Sequence, residues 1–537
     1  MIRCLTPILL LLLLIPAVTV TATPGDTLRS IASPFHCPQG LTFDGTYLWN
    51  VDRRTDQIYK VQVSDGAVVD SIPAPGYVPR GLAWDGKLLW CADAEERLIY
   101  GINPATRIVE RTIYCPVAEP NDLAWDGEYL WVVDGSGART LNQISTYDGT
   151  TIISIPAPAE AARGLTYDGK YLWAADRYRN MIYALIPSSG EVILSLEAPG
   201  PHSWGLTWDG THLWNVDYQT DRIYELVVDD GTKFARSEGK LEQVEFVHQV
   251  RNYGPDTVRT LDVYIAIPTD LNNQELTKPA TFSPEPDTIL TDKWGQKVAH
   301  FGYKDVSADE FKTATMLVDL ETYKTRYFIF PDKVGTLQDI PKEITSKYLA
   351  NDTKFSYDDP VIQNAVRKAV GDETNPYWIA RNIFDYLIDH LEYERVGGWN
   401  IAPTVLARGN GSCSEYTFVY IAMCRAAGLP ARYAGSVVIR GEDASYDNVY
   451  HRWVEVYLPE YGWIPVDPSG GDQKWPATQA DYFGFLNNRF LITTVGGGGS
   501  EYLEWGYNAN ELWTSEGRCK IDTENFAEWS PLVEGTK

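Results

Sequence analysis

One motif recurs five times near the N-terminus and constrains everything built on it. Gly40-Leu-Thr-Phe-Asp-Gly-Thr-Tyr-Leu-Trp-Asn-Val-Asp52 returns as Gly81–Asp93, Asp122–Asp134, Gly164–Asp176 and Gly205–Asp217, at offsets of 41, 41, 42 and 41 residues. Each copy holds an apolar stretch, an Asp-Gly pair and a second apolar stretch ending in Leu-Trp-x-x-Asp. Asp-Gly between two such runs signals a hairpin, because these residues accept the positive backbone angles of a tight turn. An Ile-Tyr strand follows at Ile58-Tyr59, Ile99-Tyr100, Ile182-Tyr183 and Ile223-Tyr224, whereas the third copy reads Leu141-Asn142-Gln143-Ile144. A fourth strand is expected to end near Ile72-Pro-Ala-Pro-Gly76.

Four strands in ~40 residues is the period of a β-propeller blade. The fifth copy runs out after its third strand, near Asp230-Gly231. Gly25-Asp-Thr-Leu-Arg-Ser-Ile-Ala-Ser33 matches the missing fourth strand, as comparison with Gly66-Ala-Val-Val-Asp-Ser-Ile-Pro-Ala74 shows. The expectation is a five-bladed ring over residues 23–232, closed by its own N-terminal strand. Asp44, Asp52 and their copies invite a metal reading, but a residue repeated in every blade is expected to be a turn former or strand-end cap. Gln39-Gly40-Leu41 resembles the glutamine cyclotransferase propellers, yet Gly-Leu recurs in four of the five copies. The ring is read as a binding platform with no ligand assigned.

After Gly231 the pattern changes. Val244, Phe246, His248 and Val250 alternate with polar positions, Asn252-Tyr-Gly-Pro255 makes a turn, and Leu261, Val263, Ile265 and Ile267 alternate again. Residues 233–335 are expected to form a β-sandwich with His248 as a packed structural histidine. The period then becomes helical. Asn375-Pro376 supplies an N-cap and a first-turn proline, and Ile379, Ile383, Leu387 and Leu391 form an apolar face. Residues 336–537 are read as one α+β domain with a C-terminal extension. A glycine pair at 397–398 ends its first unit, and Trp399 follows.

Gly411-Ser412-Cys413-Ser414-Glu415 is the chemical centre. Ser412 and Glu415 have capping-box spacing, so Cys413 falls in the first turn of a helix that Gly428-Leu-Pro430 terminates. The free amides and positive dipole end there favour thiolate, the nucleophile of acyl transfer, and the same amides suit an oxyanion. Cys424 lies roughly 16 Å further along the helix, at 1.5 Å per residue. That is beyond the about 7 Å between Cα atoms that a disulfide allows, so Cys424 reads as core packing. His451-Arg-Trp-Val-Glu-Val-Tyr-Leu458, a turn, and Trp463-Ile-Pro-Val-Asp467 read as a hairpin that brings His451 and Asp467 together in most registers. Cys413, His451 and Asp467 are therefore the candidate nucleophile, base and orienter.

Gly411-Ser-Cys-Ser-Glu-Tyr416, Arg425-Ala-Ala-Gly-Leu-Pro-Ala-Arg432, His451-Arg-Trp-Val-Glu-Val456 and Gly462-Trp-Ile-Pro-Val-Asp-Pro468 resemble the prokaryotic transglutaminase-like superfamily, across roughly residues 375–470. The resemblance implies a papain-like Cys-His-Asp arrangement. It also implies that Trp399, upstream of the cysteine, stands near the oxyanion site, where relatives often carry an aromatic residue. Ser412 and Glu415 are its supports. The family includes cross-linking enzymes, peptidases and amide hydrolases. Hydrolysis of peptide or isopeptide amides is the first reading, protein cross-linking the second, and a non-catalytic extracellular scaffold the third. No EF-hand loop or dense acidic run points to calcium, and no metal or cofactor is expected.

Location follows from the ends and the charge. Arg3 is the only charge before Asp26, Ile8–Val18 is apolar, and Val20-Thr21-Ala22 offers a cleavage site, the pattern of a signal peptide over residues 1–22. The apolar run is shorter than the about 20 residues that span a bilayer, and no later segment approaches that length. A net charge of −26 argues against nucleic acid as a partner. A secreted protein acting on a protein or peptide, at a cell surface or cell wall, is expected, with no oligomeric state assigned. Cys4 should leave with the signal, and the even number remaining (Cys37, Cys91, Cys115, Cys413, Cys424 and Cys519) suggests pairing without fixing partners.

Overall fold

The computed structural model describes residues 22–395, 399–441 and 444–532. The expected signal segment, apart from its last residue, and the glycine pair at 397–398 lie outside the described residues.

The repeats form five four-stranded antiparallel sheets. In the first, Pro38–Phe43, Tyr47–Asp52, Gln57–Gln62 and Val68–Pro73 follow in order, and three further copies repeat the pattern. The last sheet contains Ser203–Trp208, Leu213–Asp217 and Arg222–Leu226, and its fourth strand is Thr27–Ala32, antiparallel to Arg222–Leu226. The ring is thus closed by its N-terminal strand, and no blade is left with three strands. The recurring aspartates are turn formers. Asp44 Oδ1 accepts the Thr46 and Tyr47 amides, and its Oδ2 accepts Trp49 Nε1 at 2.8 Å. Asp85, Asp126, Asp168 and Asp209 hold Trp90, Trp131, Trp173 and Trp214 in the same way.

The innermost strands meet closely at the axis. A Cβ on Gly81 would lie 2.5 Å from Asp122 Cα, and one on Gly205 would lie 2.5 Å from the Gln39 carbonyl oxygen. The third copy has Asp122 where the others have glycine, and there it ties strands together instead of clashing. Its carboxylate accepts the Leu165 amide at 2.9 Å and the Leu82 amide at 3.2 Å, from the inner strands on either side. The side chain is buried, and burial pushes its pKa up against the pull of these amide donors.

One blade differs from the rest. The outer strands Val68–Pro73, Ile108–Tyr114 and Thr151–Pro156 begin exposed, whereas Val192–Leu196 is buried throughout. That strand shares a core with the Pro376–His390 helix and the Tyr327–Phe330 segment. Glu191, beside it, forms an ion pair at 2.5 Å with Arg381 of the helix, whose side chain is 2% exposed.

The middle of the chain forms two packed sheets. Phe234–Pro255 lies between Phe311–Tyr327 and Cys519–Pro531, and Val258–Ala266 lies between Lys297–Val306 and Ala509–Ser515. The end of the stretch read as a C-terminal extension of residues 336–537 therefore sits in the sandwich. Strands Phe234–Pro255 and Val258–Ala266 each need two neighbours for their backbone polar groups, and residues 233–335 supply the second neighbour to neither. His248 is buried, with Nε2 3.3 Å from Glu511 Oε2 on one of these returning strands.

The remaining unit pairs a sheet with helices. Gly462–Val466, His451–Leu458, Ala431–Val438 and Phe490–Gly496 form the sheet, in that order. Helices Pro376–His390, Ala402–Arg408 and Cys413–Ala426 pack together, the last also against the His451–Leu458 strand. Asn375 caps the first helix, accepting the Tyr377 amide at 2.8 Å. All six cysteines of the described residues are free, so the even count does not reflect pairing.

Candidate active site

The Cys413–Ala426 helix opens as its sequence requires. Glu415 Oε2 accepts the Ser412 amide at 3.2 Å, the return half of a capping box. Glu415 is wholly buried, and it also accepts from Arg408 Nη2 and from the Asn400 amide, both at 2.9 Å. It thereby fixes three segments around the helix start and acts as a positioning residue. Ser412 is the extended N-cap. Cys413 is the first helical residue, where amides have no partner inside the helix.

His451 and Asp467 come from the two strands of one hairpin. Val454 pairs with Val466 and Leu458 with Gly462. Continued by one residue, this register sets Asp467 opposite Trp453, diagonal to His451 and on the same face. His451 Nε2 lies 2.7 Å from Asp467 Oδ2. The Cys413 sulfur lies within hydrogen-bonding reach of the imidazole and of the Arg452 amide. Ser469 completes the row: its Oγ donates to Asp467 Oδ1 at 2.6 Å, and its amide donates at 3.1 Å. The sequence reading gave Ser469 no role, although Asp-Pro-Ser is a recognisable Asx-turn pattern.

These contacts set the protonation. Burial pushes the Cys413 thiol up, but the bond to His451, its charge and the Arg452 amide outweigh burial, so the thiol lies below its ordinary value. Burial pulls His451 down, and the Asp467 carboxylate and the Cys413 sulfur overcome this and raise it to about 10. Burial raises Asp467, yet the His451 charge and the Ser469 bonds hold it below the usual carboxylate range. The site favours a thiolate–imidazolium pair. The inert cysteines contrast with it: burial is the chief cause that raises Cys115 to about 11 and pushes Cys424 well up.

Arg452 is the main site residue missed in the sequence. It alternates with His451 and Trp453 along the strand, so its side chain leaves on the opposite face, toward the cysteine helix. It is fully buried, and its guanidinium sits 4.3 Å from the Tyr507 ring, 4.7 Å from Tyr433, 4.9 Å from Trp399 and 5.3 Å from Phe418. Nη2 donates to the Trp505 carbonyl at 2.5 Å, while Nε and Nη1 have no hydrogen-bond partner among the described residues. Burial lowers its pKa and the charge of the Cys413 sulfur raises it. Arginine in an otherwise alternating strand was the available signal. Trp399, expected near the oxyanion, is a wall of this cage, with a backbone φ of +36° and its carbonyl held by Lys354 Nζ.

A cavity of about 350 Å³ adjoins His451 and Asp467, walled also by Trp453, Phe485 and Phe490. A second, of about 770 Å³, shares Asp481 and Phe485 with it and lies between the ring and the sandwich. Asp481 pairs there with Arg179 of the ring. Elsewhere, Asp209, His212 and Glu225 bring three potential metal donors together, but Arg29 Nε already pairs with Glu225.

Residues 363–468 match the family model described as the Transglutaminase-like superfamily. The chain is 23% identical over 274 residues to the uncharacterized protein YebA of Bacillus subtilis (strain 168), covering 45% of this chain and 34% of YebA. It is 28% identical over 132 residues to an uncharacterized protein of Haemophilus influenzae, covering 20% of this chain and 36% of that protein. The chain thus spans about a third of the length of the curated relatives it matches. Among solved structures, it is similar to a candidate cysteine protease from Cytophaga hutchinsonii (13% identity, 56% of this chain and 100% of that one, TM-score 0.39). It is also similar to the glutaminyl cyclase of Myxococcus xanthus (17% identity, 38% of this chain and 97% of that one, TM-score 0.35). No helix of the described residues is long and apolar enough to cross a membrane.

Proposed function

We propose that this protein is an extracytoplasmic cysteine enzyme that cleaves peptide or isopeptide amide bonds through a thioester on Cys413, with water as the favoured acceptor. The observation that carries this reading is the double engagement of His451, with Nε2 on Asp467 and the ring within hydrogen-bonding reach of the Cys413 sulfur.

The Cys413 thiolate attacks the amide carbonyl carbon, and the first-turn amides of its helix stabilise the resulting oxyanion. The His451 imidazolium gives its proton to the departing amine, and the C–N bond breaks to leave a thioester. His451, now neutral, takes a proton from water as that water attacks the thioester. The C–S bond then breaks, a carboxylic acid leaves, and the thiolate–imidazolium pair is restored. Asp467 holds the imidazole orientation throughout. The side chains of His451 and Asp467 remain 18% and 21% exposed, which supports entry of water.

The test is a short iodoacetamide pulse at pH 6, read by mass spectrometry on wild type and His451→Ala. Rapid labelling of Cys413 above the other five cysteines, lost in the variant, is expected. Slow labelling of Cys413, equal in both folded proteins, overturns the reading and favours a scaffold.

A further inference from the structure

The five repeats diverge at several positions, and most in charge and size at one on the inner strand. The residue before the axial glycine, or before Asp122, is Gln39, Arg80, Asn121, Arg163 and Trp204 in successive blades. A position that varies while its neighbours repeat is released from the architecture of the blade. These side chains meet at one end of the ring axis. Arg80 Nη1 donates to Asn121 Oδ1 at 2.6 Å and to Glu119 Oε1 at 2.9 Å. Arg163 Nη1 lies 3.9 Å from the same Glu119 oxygen, and the Arg163 guanidinium lies 5.6 Å from the Trp204 ring. Below them Asp122 and the pinched inner strands crowd the axis, and the cluster above, at the mouth of the ring, is termed the cup.

The cup is short of acceptors. Arg163 Nε and Nη1 are buried and have no hydrogen-bond partner among the described residues. Arg177 is near enough for its charge to act on Arg163, as does that of Arg80. Glu119 is the carboxylate shared by Arg80 and Arg163. The nearby Asp134 and Asp176 are engaged by backbone amides, Asp134 by Glu119 and Ser136 and Asp176 by Ala161 and Arg179. A partly desolvated guanidinium with unmet donors favours an anionic acceptor such as a carboxylate. This cationic concentration stands out in a chain of net charge −26.

We propose that the mouth of the ring is a docking site for an acidic peptide segment, whose side-chain carboxylates are held by Arg80, Arg163 and Arg177. The carboxylate chemistry stands on these residues alone, while the choice of a peptide rests on the function proposed above. A short link supports that choice. Arg177 is near enough for its charge to reach Arg163, and Arg179, two residues on, pairs with Asp481 of the cavity beside His451.

The test is calorimetric titration of the full-length Cys413→Ala protein at low salt. The probes are an N-acetylated, C-amidated hexapeptide alternating alanine and glutamate, and its glutamine twin. The glutamate peptide is expected to bind about tenfold or more tightly than the twin. Arg163→Met and Arg80→Met, each confirmed folded by thermal unfolding, should remove that preference, and Arg111→Met on an exposed outer strand should retain it. Equal binding of the two peptides overturns the proposal, as does an undiminished preference in either folded cup variant. Tighter binding of a galacturonate trimer than of the glutamate peptide overturns the peptide assignment. Because binding is read without turnover, failure here is separate from failure of the alkylation test at Cys413.

Discussion

His451 Nε2 stands 2.7 Å from Asp467 Oδ2 across a single hairpin, in diagonal register on one face. Sixteen residues of local sequence therefore deliver the base and its orienter together. Asp467→Asn preserves the shape but offers an amide in place of the charge and favours the wrong tautomer. Turnover is expected to fall by about two to four orders of magnitude. Steady-state kinetics on any peptide found to be cleaved would check this, and an unchanged kcat would remove Asp467 from the mechanism.

The pH dependence follows from the same row. Cys413 ionises below the ordinary thiol range, and His451 keeps its proton up to about 10. Alkylation of Cys413 should reach its plateau at a lower pH than that of an ordinary thiol, whereas in His451→Gln the midpoint should move up, because the main opposition to burial is then lost. Stability carries its own sign. His451 is raised above its ordinary 6.5, so its contribution is complete below pH 6.5 and is lost as pH rises toward about 10. Urea midpoints of wild type and His451→Gln should converge across that window.

Arg452 offers a separable electrostatic effect. Arg452→Met fills much of the cage without the charge, so the Cys413 midpoint is expected to rise and labelling at pH 6 to slow by about tenfold. Thermal stability should hold or improve, since replacing a buried cation by an apolar side chain is often neutral or favourable. A midpoint that does not move would reduce Arg452 to packing.

Arg381 and Glu191 join the ring to the helical unit. Arg381→Ala leaves a carboxylate in a largely buried site and is expected to cost about 3–5 kcal/mol. Arg381→Met combined with Glu191→Leu should recover much of it. Urea unfolding of the three proteins reads this directly, and additive losses in the double variant would show that the two side chains are not coupled.

Asp122→Gly restores the repeat but strips the amides of Leu82 and Leu165 of their acceptor. A loss of at least about 2 kcal/mol is expected, at about 1–3 kcal/mol for each unsatisfied group. An unchanged melting temperature would mean that water replaces the carboxylate.

The sequence by itself determined whatever is built from near neighbours. The Asp-Gly turns, the Asn375 and Glu415 caps and the His451–Asp467 hairpin each close within some twenty residues, and the blade period within about forty, so residue type and spacing suffice to specify them. Ring closure by Thr27–Ala32 was legible as well, because an incomplete repeat announces its missing strand. The tertiary structure alone decided how Cys413 meets His451, why Val192–Leu196 is buried, and where strands Ala509–Ser515 and Cys519–Pro531 go. It alone gave Asp122 and Arg452 their partners. In each of these cases a polar group or open strand edge is satisfied by residues far along the chain. Which distant segment arrives is settled by the packing of whole faces, a property that no local pattern carries.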